Sequence, residues 1–195
     1  VDASEIVNRR QPEEGTDPKD YRPYNYDGTM PAPLAPFGSD KYLSRTTGST
    51  HDEKGEFRPT PENIHRVTHY LSDKIEKNAD DICLTKSFHL EGAETVFITY
   101  GCSARSAQGA MEYLRAQGEN AGLLQLQTVW PLPEKEIRKV LSTAKTVVVP
   151  ELNLGQIAGE IRKLNDYGCK IVQANRVDGI LISPQQIIQT LKEAL

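Results

Sequence analysis

Cysteine is scarce in this chain of 195 residues, and the three present, Cys83, Cys102 and Cys169, are widely spaced with no C-x-x-C among them. That excludes a disulfide framework, and it excludes an iron–sulfur or structural zinc site held by this chain alone. Long apolar runs are also missing. None approaches the roughly 18 residues of a membrane span, and the opening VDASEIVNRR lacks the apolar segment of a secretory signal, so a cytoplasmic location is the default expectation. Basic runs are absent too. Lys and Arg number 23 against 27 Asp and Glu, a net charge of −4, which leaves no electrostatic footprint for DNA or RNA.

What is present is a soluble-type composition, 37% hydrophobic and 26% charged, in a chain long enough for one full core and a smaller appendage. Eight of the 12 prolines fall before residue 62, together with Tyr21, Tyr24, Tyr26 and Tyr42. This stretch has almost no period-2 or period-3.6 pattern and reads as an extended arm over 1–59. Such a segment either lies along a neighbouring body through PAPLAPF and its tyrosines or serves as a linker; composition leaves both open. Helix signals start at Thr60 as N-cap with Pro61 next. Ile64, Val67, Leu71 and Ile75 then form one apolar stripe, which defines an amphipathic linker helix within 60–84.

From Glu94 onward the punctuation becomes regular. TVFITYG, AGLLQLQTV, TVVVPE and CKIVQA read as strands, with helices SARSAQGAMEYLRAQG, PLPEKEIRKVLS, QIAGEIRKL and SPQQIIQTLKEAL between and after them. Short β-rich runs alternating with helices predict an α/β domain over 85–195, with a mainly parallel sheet covered by helices on both faces. KSFHLEG is a candidate edge strand.

In open α/β sheets chemistry collects outside the carboxyl ends of the parallel strands. Three ends are distinctive here: Tyr100-Gly101-Cys102-Ser103, the turn around Trp130, and Pro150-Glu151-Leu152-Asn153-Leu154-Gly155-Gln156. The first suggests an anion cradle at a helix start, but it matches neither a P-loop nor a dinucleotide fingerprint. A nucleophilic Cys102 is one reading of that helix start; a small residue filling a turn is the commoner outcome. Asn153 is a fair N-cap, and Gly155 permits close backbone approach. Glu151 is the best polar candidate, either a cap for that helix or an acid at an interface. HDEKGE, from His51 to Glu56, holds metal-ligand residue types but not a calcium-loop frame, so an exposed polar turn is expected. His65 and His69 lie four apart without H-E-x-x-H, and solvent-facing histidines are the ordinary reading.

The segments ETVFITYGCSARSAQGAMEYLR, LLQLQTVWPLPEKEIRKVL and TVVVPELNLGQIAGEIRK, with THDEKGEFRPTPENIHRVTHYLSDKIEK upstream, resemble the C-terminal part of the alpha subunit of 2-oxoacid:ferredoxin oxidoreductases, most like the 2-oxoglutarate type. The resemblance implies a transketolase C-terminal-like fold for 85–195. It also implies membership of an enzyme that decarboxylates a 2-oxoacid on thiamine diphosphate, joins the acyl group to coenzyme A and passes electrons through an iron–sulfur cluster to ferredoxin. The reverse carboxylation belongs to the same chemistry. By the resemblance, thiamine diphosphate, magnesium and the cluster belong to a beta subunit and to a thiamine-binding N-terminal alpha domain that precedes this segment. This chain alone is then expected to bind none of them and to be inactive by itself. Glu151 is accordingly not the thiamine-activating glutamate, and Thr50 stands where a glutamate would be expected ahead of His51. Tyr100, Cys102, Ser103, Trp130, Glu151, Asn153, Gly155, Gln156 and His51 remain as interface or rim candidates. The alternative is a stand-alone α/β module that binds a small ligand or acts as an adaptor.

Overall fold

The computed structural model describes residues 2–24, 26, 28, 31–45 and 47–195. The chain divides into two compact units, Val1–Asp80 and Asp81–Leu195. The helix read from sequence as a separate linker thus groups with the arm.

In the second unit the strands are β1 (Thr85–Phe88), β2 (Thr95–Tyr100), β3 (Ala121–Leu126), β4 (Thr146–Glu151) and β5 (Lys170–Asn175), in the order β1-β3-β2-β4-β5. All neighbours run parallel except β1, which pairs antiparallel with β3 and confirms the edge strand. Between and after them lie α3 (Ser103–Ala116), α4 (Glu134–Leu141), α5 (Gln156–Lys163) and α6 (Pro184–Ala194). Alternate residues of each strand face opposite cores. Val96, Ile98, Leu124, Leu126, Val147 and Val149 meet α4 and α5 through Ile137, Val140, Ala158 and Ile161. Phe97, Leu123, Val148 and Val172 meet α3 and α6 through Ala107, Met111, Leu114, Ile187 and Leu191. With both faces covered, every residue of β4 is buried, which is why TVVVPE carries no polar alternation.

Pro150 stands where the sheet opens. β2 and β4 pair only through Thr95↔Thr146, Val96↔Val147 and Phe97↔Val148, whereas β4 and β5 stay paired to Glu151↔Asn175. A residue without an N–H costs no hydrogen bond on the side where the ladder has already ended. β2 is also where the order of the parallel strands reverses, so the gap between the β2 and β4 ends is the topological switch point.

The first unit contains a short 3-10 turn at Ala3–Glu5 and helix α1 (Pro61–Glu76); the single turn α2 (Ala79–Ile82) spans the boundary. Thr60 caps α1, its hydroxyl accepting from the Asn63 N–H at 3.3 Å. The arm is neither featureless nor fully extended, because its tyrosines organise it. The Tyr21 hydroxyl accepts from the Ala35 N–H at 2.8 Å, and the Tyr42 hydroxyl donates to the Thr16 carbonyl at 2.9 Å. The Tyr26 ring meets Tyr70 edge-on at 5.2 Å, with the Arg66 guanidinium 5.2 Å from the Tyr26 ring centre.

α1 therefore differs from its sequence pattern. Asn63 and Tyr70 are its buried residues, while Ile64 and Leu71 of the apolar stripe are 42% and 49% exposed. Aromatic stacking and side-chain hydrogen bonds hold the arm on the Asn63–Arg66–Tyr70 face, a preference that a hydrophobicity pattern does not register. Among the described residues no helix is long and apolar enough to cross a membrane.

Candidate functional site

The carboxyl ends of the parallel strands carry all the rim residues singled out above except His51. Tyr100 ends β2 and is half-buried; Ser103 is buried at the first position of α3; Cys102 precedes it, exposed and without a side-chain cap bond. The anion-cradle reading finds there only a bare helix start. Trp130 is 68% exposed in the loop after β3.

The turn after β4 is the most structured part of the rim. Glu151 is 1% exposed, and its two carboxylate oxygens accept from the N–H groups of Ile157 and Ala158 at 3.0 and 2.9 Å. Asn153 Oδ1 accepts from the N–H groups of Gly155 and Gln156 at 2.7 and 3.0 Å. Two side chains thus share the capping of α5, Asn153 as expected and Glu151 in the capping role that was one of its two readings. The free N–H groups of the first turn and the positive helix end explain the buried carboxylate, and no second chain is needed to satisfy it. Gly155 lies at φ +98°, and a Cβ on it would stand 1.8 Å from Gln173 Nε2, so glycine is required both by backbone conformation and by space.

The same groups seal the switch point. Thr99 Oγ1 donates to the Pro150 carbonyl at 2.7 Å, and Asn153 Nδ2 donates to the Tyr100 hydroxyl at 2.7 Å. Burial first, and then the nearby Glu151 charge, raise the Tyr100 phenol above the ordinary tyrosine value. Where the backbone ladder between β2 and β4 ends, side chains take over.

The loops that follow the parallel strands span 101–102, 127–133, 152–155 and 176–183, and their only charged residues are Arg176 and Asp178. These neutralise each other through Arg176 Nε to Asp178 Oδ1 at 2.7 Å and a second bond from the guanidinium at 2.9 Å. Hydrogen bonding from Arg176, then from the Ile180 N–H, lowers Asp178 to about 2. Sequence reading missed the apolar members of these loops: Leu154, 83% exposed, and Val177, Ile180 and Leu181, each more than half exposed. Their signal was legible as apolar residues inside Asn- and Gly-containing turns, where a structural turn has no use for them.

His51 lies in the first unit. Its Nδ1 is 2.7 Å from the Tyr26 hydroxyl, its ring centre 4.0 Å from that of Tyr24, and its carbonyl accepts from Asn63 Nδ2 at 3.1 Å. The expected exposed turn is instead a packed one, because rings from the arm close over it. His65 and His69 are exposed neighbours on α1 with ring centres 4.2 Å apart.

Residues 93–187 match the profile of pyruvate:ferredoxin oxidoreductase core domain II, which coincides with the sheet and its rim. Over these residues the chain is similar to that family. The chain is 35% identical, over 95% of its length, to the 2-oxoglutarate synthase subunit KorA of Methanocaldococcus jannaschii, covering 49% of it. It is 31% identical over 97% of its length to the KorA subunit of Methanothermobacter thermautotrophicus, covering 50%. A solved 2-oxoglutarate:ferredoxin oxidoreductase from Magnetococcus marinus, with 2-oxoglutarate, coenzyme A and succinyl-CoA bound, superposes over 97% of the chain and 32% of its own. That match has a TM-score of 0.79 and 25% identity. The chain thus spans about half the length of the curated relatives it matches.

Thiamine diphosphate with its metal, and an iron–sulfur cluster, would each need ligands that these side chains would have to supply. Among the described residues no group of three or more His, Cys, Asp or Glu lies together to hold a metal ion. Cys83, Cys102 and Cys169 sit in half-buried, exposed and buried surroundings at separate points of the fold. At the switch point the α5 N–H groups that could meet a phosphate are taken by Glu151 and Asn153. The residues at the switch point do not fit these groups.

Proposed function

We propose that this chain is the assembly-completing, non-catalytic part of a thiamine-diphosphate-dependent 2-oxoacid:ferredoxin oxidoreductase whose substrate is 2-oxoglutarate. The complex carries out oxidative decarboxylation with coenzyme A to give the acyl-CoA and CO2, with the electrons passing to ferredoxin. Its partners are a beta-type subunit and a thiamine-binding alpha domain, which supply thiamine diphosphate, magnesium and the cluster. The observation that carries this reading is the similarity to 2-oxoglutarate synthase subunits along almost the whole chain, arm and core domain II together. Its rim supports the non-catalytic part of the reading. The buried carboxylate that stood out as an acid–base candidate already has both oxygens bonded to α5, and it closes a crevice rather than lining one.

Reconstitution tests the proposal. Partner chains purified without this one are expected to show little 2-oxoglutarate-dependent reduction of ferredoxin in the presence of coenzyme A, and addition of the chain is expected to restore it. Full activity in its absence would refute the proposal. So would tight calorimetric binding of a nucleotide by the isolated chain together with failure to associate, since that pattern describes a stand-alone ligand module.

A further inference from the structure

We infer that His51 is a contact point for a hydrogen-bond donor of the companion chain in the assembly. It is held as the tautomer with its proton on Nδ1, so that Nε2 is presented outward as an open acceptor. The inference rests on the function proposed above and adds to it the residue used and the chemistry it recognises.

The tautomer follows from counting protons. Nδ1 is 2.7 Å from the Tyr26 hydroxyl and 3.1 Å from the Asp52 carbonyl, and the same hydroxyl is 3.3 Å from the His51 carbonyl. A carbonyl only accepts. With the proton on Nδ1, the ring donates to the hydroxyl and the Asp52 carbonyl, and the hydroxyl is left to donate to the His51 carbonyl. Every contact is then a hydrogen bond. With the proton on Nε2, the hydroxyl must donate to Nδ1, and both carbonyls face lone pairs. Burial first, and then Tyr24, raise the Tyr26 phenol to about 12, so the hydroxyl keeps the proton this arrangement requires. A bonded Nδ1–H is the usual device that fixes a histidine whose other nitrogen does the work.

The ring is also fixed in place, with its outer nitrogen left over. Tyr24 lies against it with ring centres 4.0 Å apart, and Asn63 Nδ2 donates to its carbonyl at 3.1 Å. His51 is half-buried, and among the described residues nothing bonds to Nε2. The charged groups of the cluster are engaged elsewhere: Arg66 pairs with Glu53, and Asp52 accepts from the N–H groups of Lys54 and Glu56. A neutral acceptor flanked by two carboxylates suits an N–H or O–H donor and repels an anion. That excludes ionised 2-oxoglutarate, whose oxygens only accept.

Phe57 gives the donor a protein source. It is 66% exposed and is bridged to His51 across the turn, and directly paired residues place their side chains on the same face. An exposed aromatic beside a preorganised polar group is the composition of a protein contact, the ring as anchor and the acceptor setting register. On this account Tyr26 is a positioning residue, since its hydroxyl selects the tautomer.

The test uses the full chain and the companion chain that purifies with it through a tag. Imidazole nitrogen NMR spectra of the free chain are expected to show His51 as the Nδ1–H tautomer, with Nε2 shifting when companion is added. Tyr26→Phe is expected to mix the two tautomers. His51→Asn keeps a donor where Nδ1 stands and removes Nε2. It is expected to melt within a few degrees of wild type and to bind companion roughly 10-fold more weakly, the effect of one hydrogen bond. Phe57→Ala is expected to lose about 10-fold as well, and His65→Asn, on the exposed face of α1, less than about 2-fold. An Nε2–H tautomer in the free chain overturns the inference, and so does wild-type affinity in His51→Asn. Lost affinity matched by a large fall in melting temperature in both His51→Asn and Phe57→Ala reduces the pair to a structural role and overturns it too. Unchanged affinity with a raised KM for 2-oxoglutarate or coenzyme A in the reconstituted assembly gives Nε2 to a small molecule and overturns it while the proposed function stands. A companion unrelated to 2-oxoacid oxidoreductases overturns both.

Discussion

Glu151→Ala separates a capping carboxylate from an acid that works at an interface or on a substrate. In the folded chain the carboxylate is buried and receives two N–H groups, from Ile157 and Ala158. Removing it leaves the α5 donors without partners in a region that water reaches poorly. Each hydrogen bond to a charged group contributes about 1.5–3 kcal/mol, and loss of an N-cap costs ~1 and up to about 2 kcal/mol. Relief from burying the charge returns part of the loss. A net destabilisation of about 3 kcal/mol follows, which is ~10 °C in melting temperature for a unit of this length. Glu151→Gln retains one acceptor but turns an amide N–H toward the second donor, so about half the loss is expected. The assay is thermal and denaturant unfolding of the full chain, followed by companion affinity measured well below the transition. A melting temperature within 2 °C or so of wild type, combined with lost association or turnover, would refute the capping argument and return Glu151 to the interface.

Gly155→Ala is expected to cost about 1–2 kcal/mol from its left-handed backbone alone, with a further loss from the Gln173 side chain. Adding Gln173→Ala should recover the second part and not the first, as read by denaturation midpoints. Burial first, and then the neighbouring Tyr24, raise the Tyr26 phenol to about 12 from its ordinary 10. The folded state thus holds that proton more tightly, so the contribution is fully present below pH 10 and is lost as pH rises through about 12. Tyr26→Phe should remove that step from a stability–pH profile followed by tyrosinate absorbance, and an unchanged profile would count against the cluster. Deleting the arm before Thr60 should weaken companion binding while leaving the unfolding midpoint of the α/β unit in place; an equal loss of core stability would contradict this.

The sheet was legible because its signals are local and redundant. β2, β4 and β5 carry short β-branched runs, β3 is a short apolar run closed by helix signals on both sides, and only the edge strand at KSF lacks such a run. The rim was legible in position but not in orientation. No pattern in PELNLGQ says whether the carboxylate turns inward or the leucines turn outward, since that depends on which donors α5 leaves free once packed. The arm was least legible, because its cohesion comes from tyrosine hydroxyls meeting distant backbone groups, as in Tyr21 with Ala35. Periodicity carries no information about such pairings. The same blindness led the stripe of α1 to be read as its packing face, when Asn63 and Tyr70 are what it buries.

A doubly wound sheet offers a ligand its best site where strand order reverses, because diverging loops leave a crevice there. In this chain the divergence begins at Pro150 and is closed within a few residues by Thr99, Tyr100, Glu151 and Asn153. A crevice filled by the chain's own polar side chains cannot bind a substrate there without breaking a buried network, and each broken bond costs more than a new exposed one returns. The closure also fixes the turn from which Leu154 projects. Where the fold could hold a small molecule, this chain instead spends its polar side chains on one another and so stiffens the turn between β4 and α5.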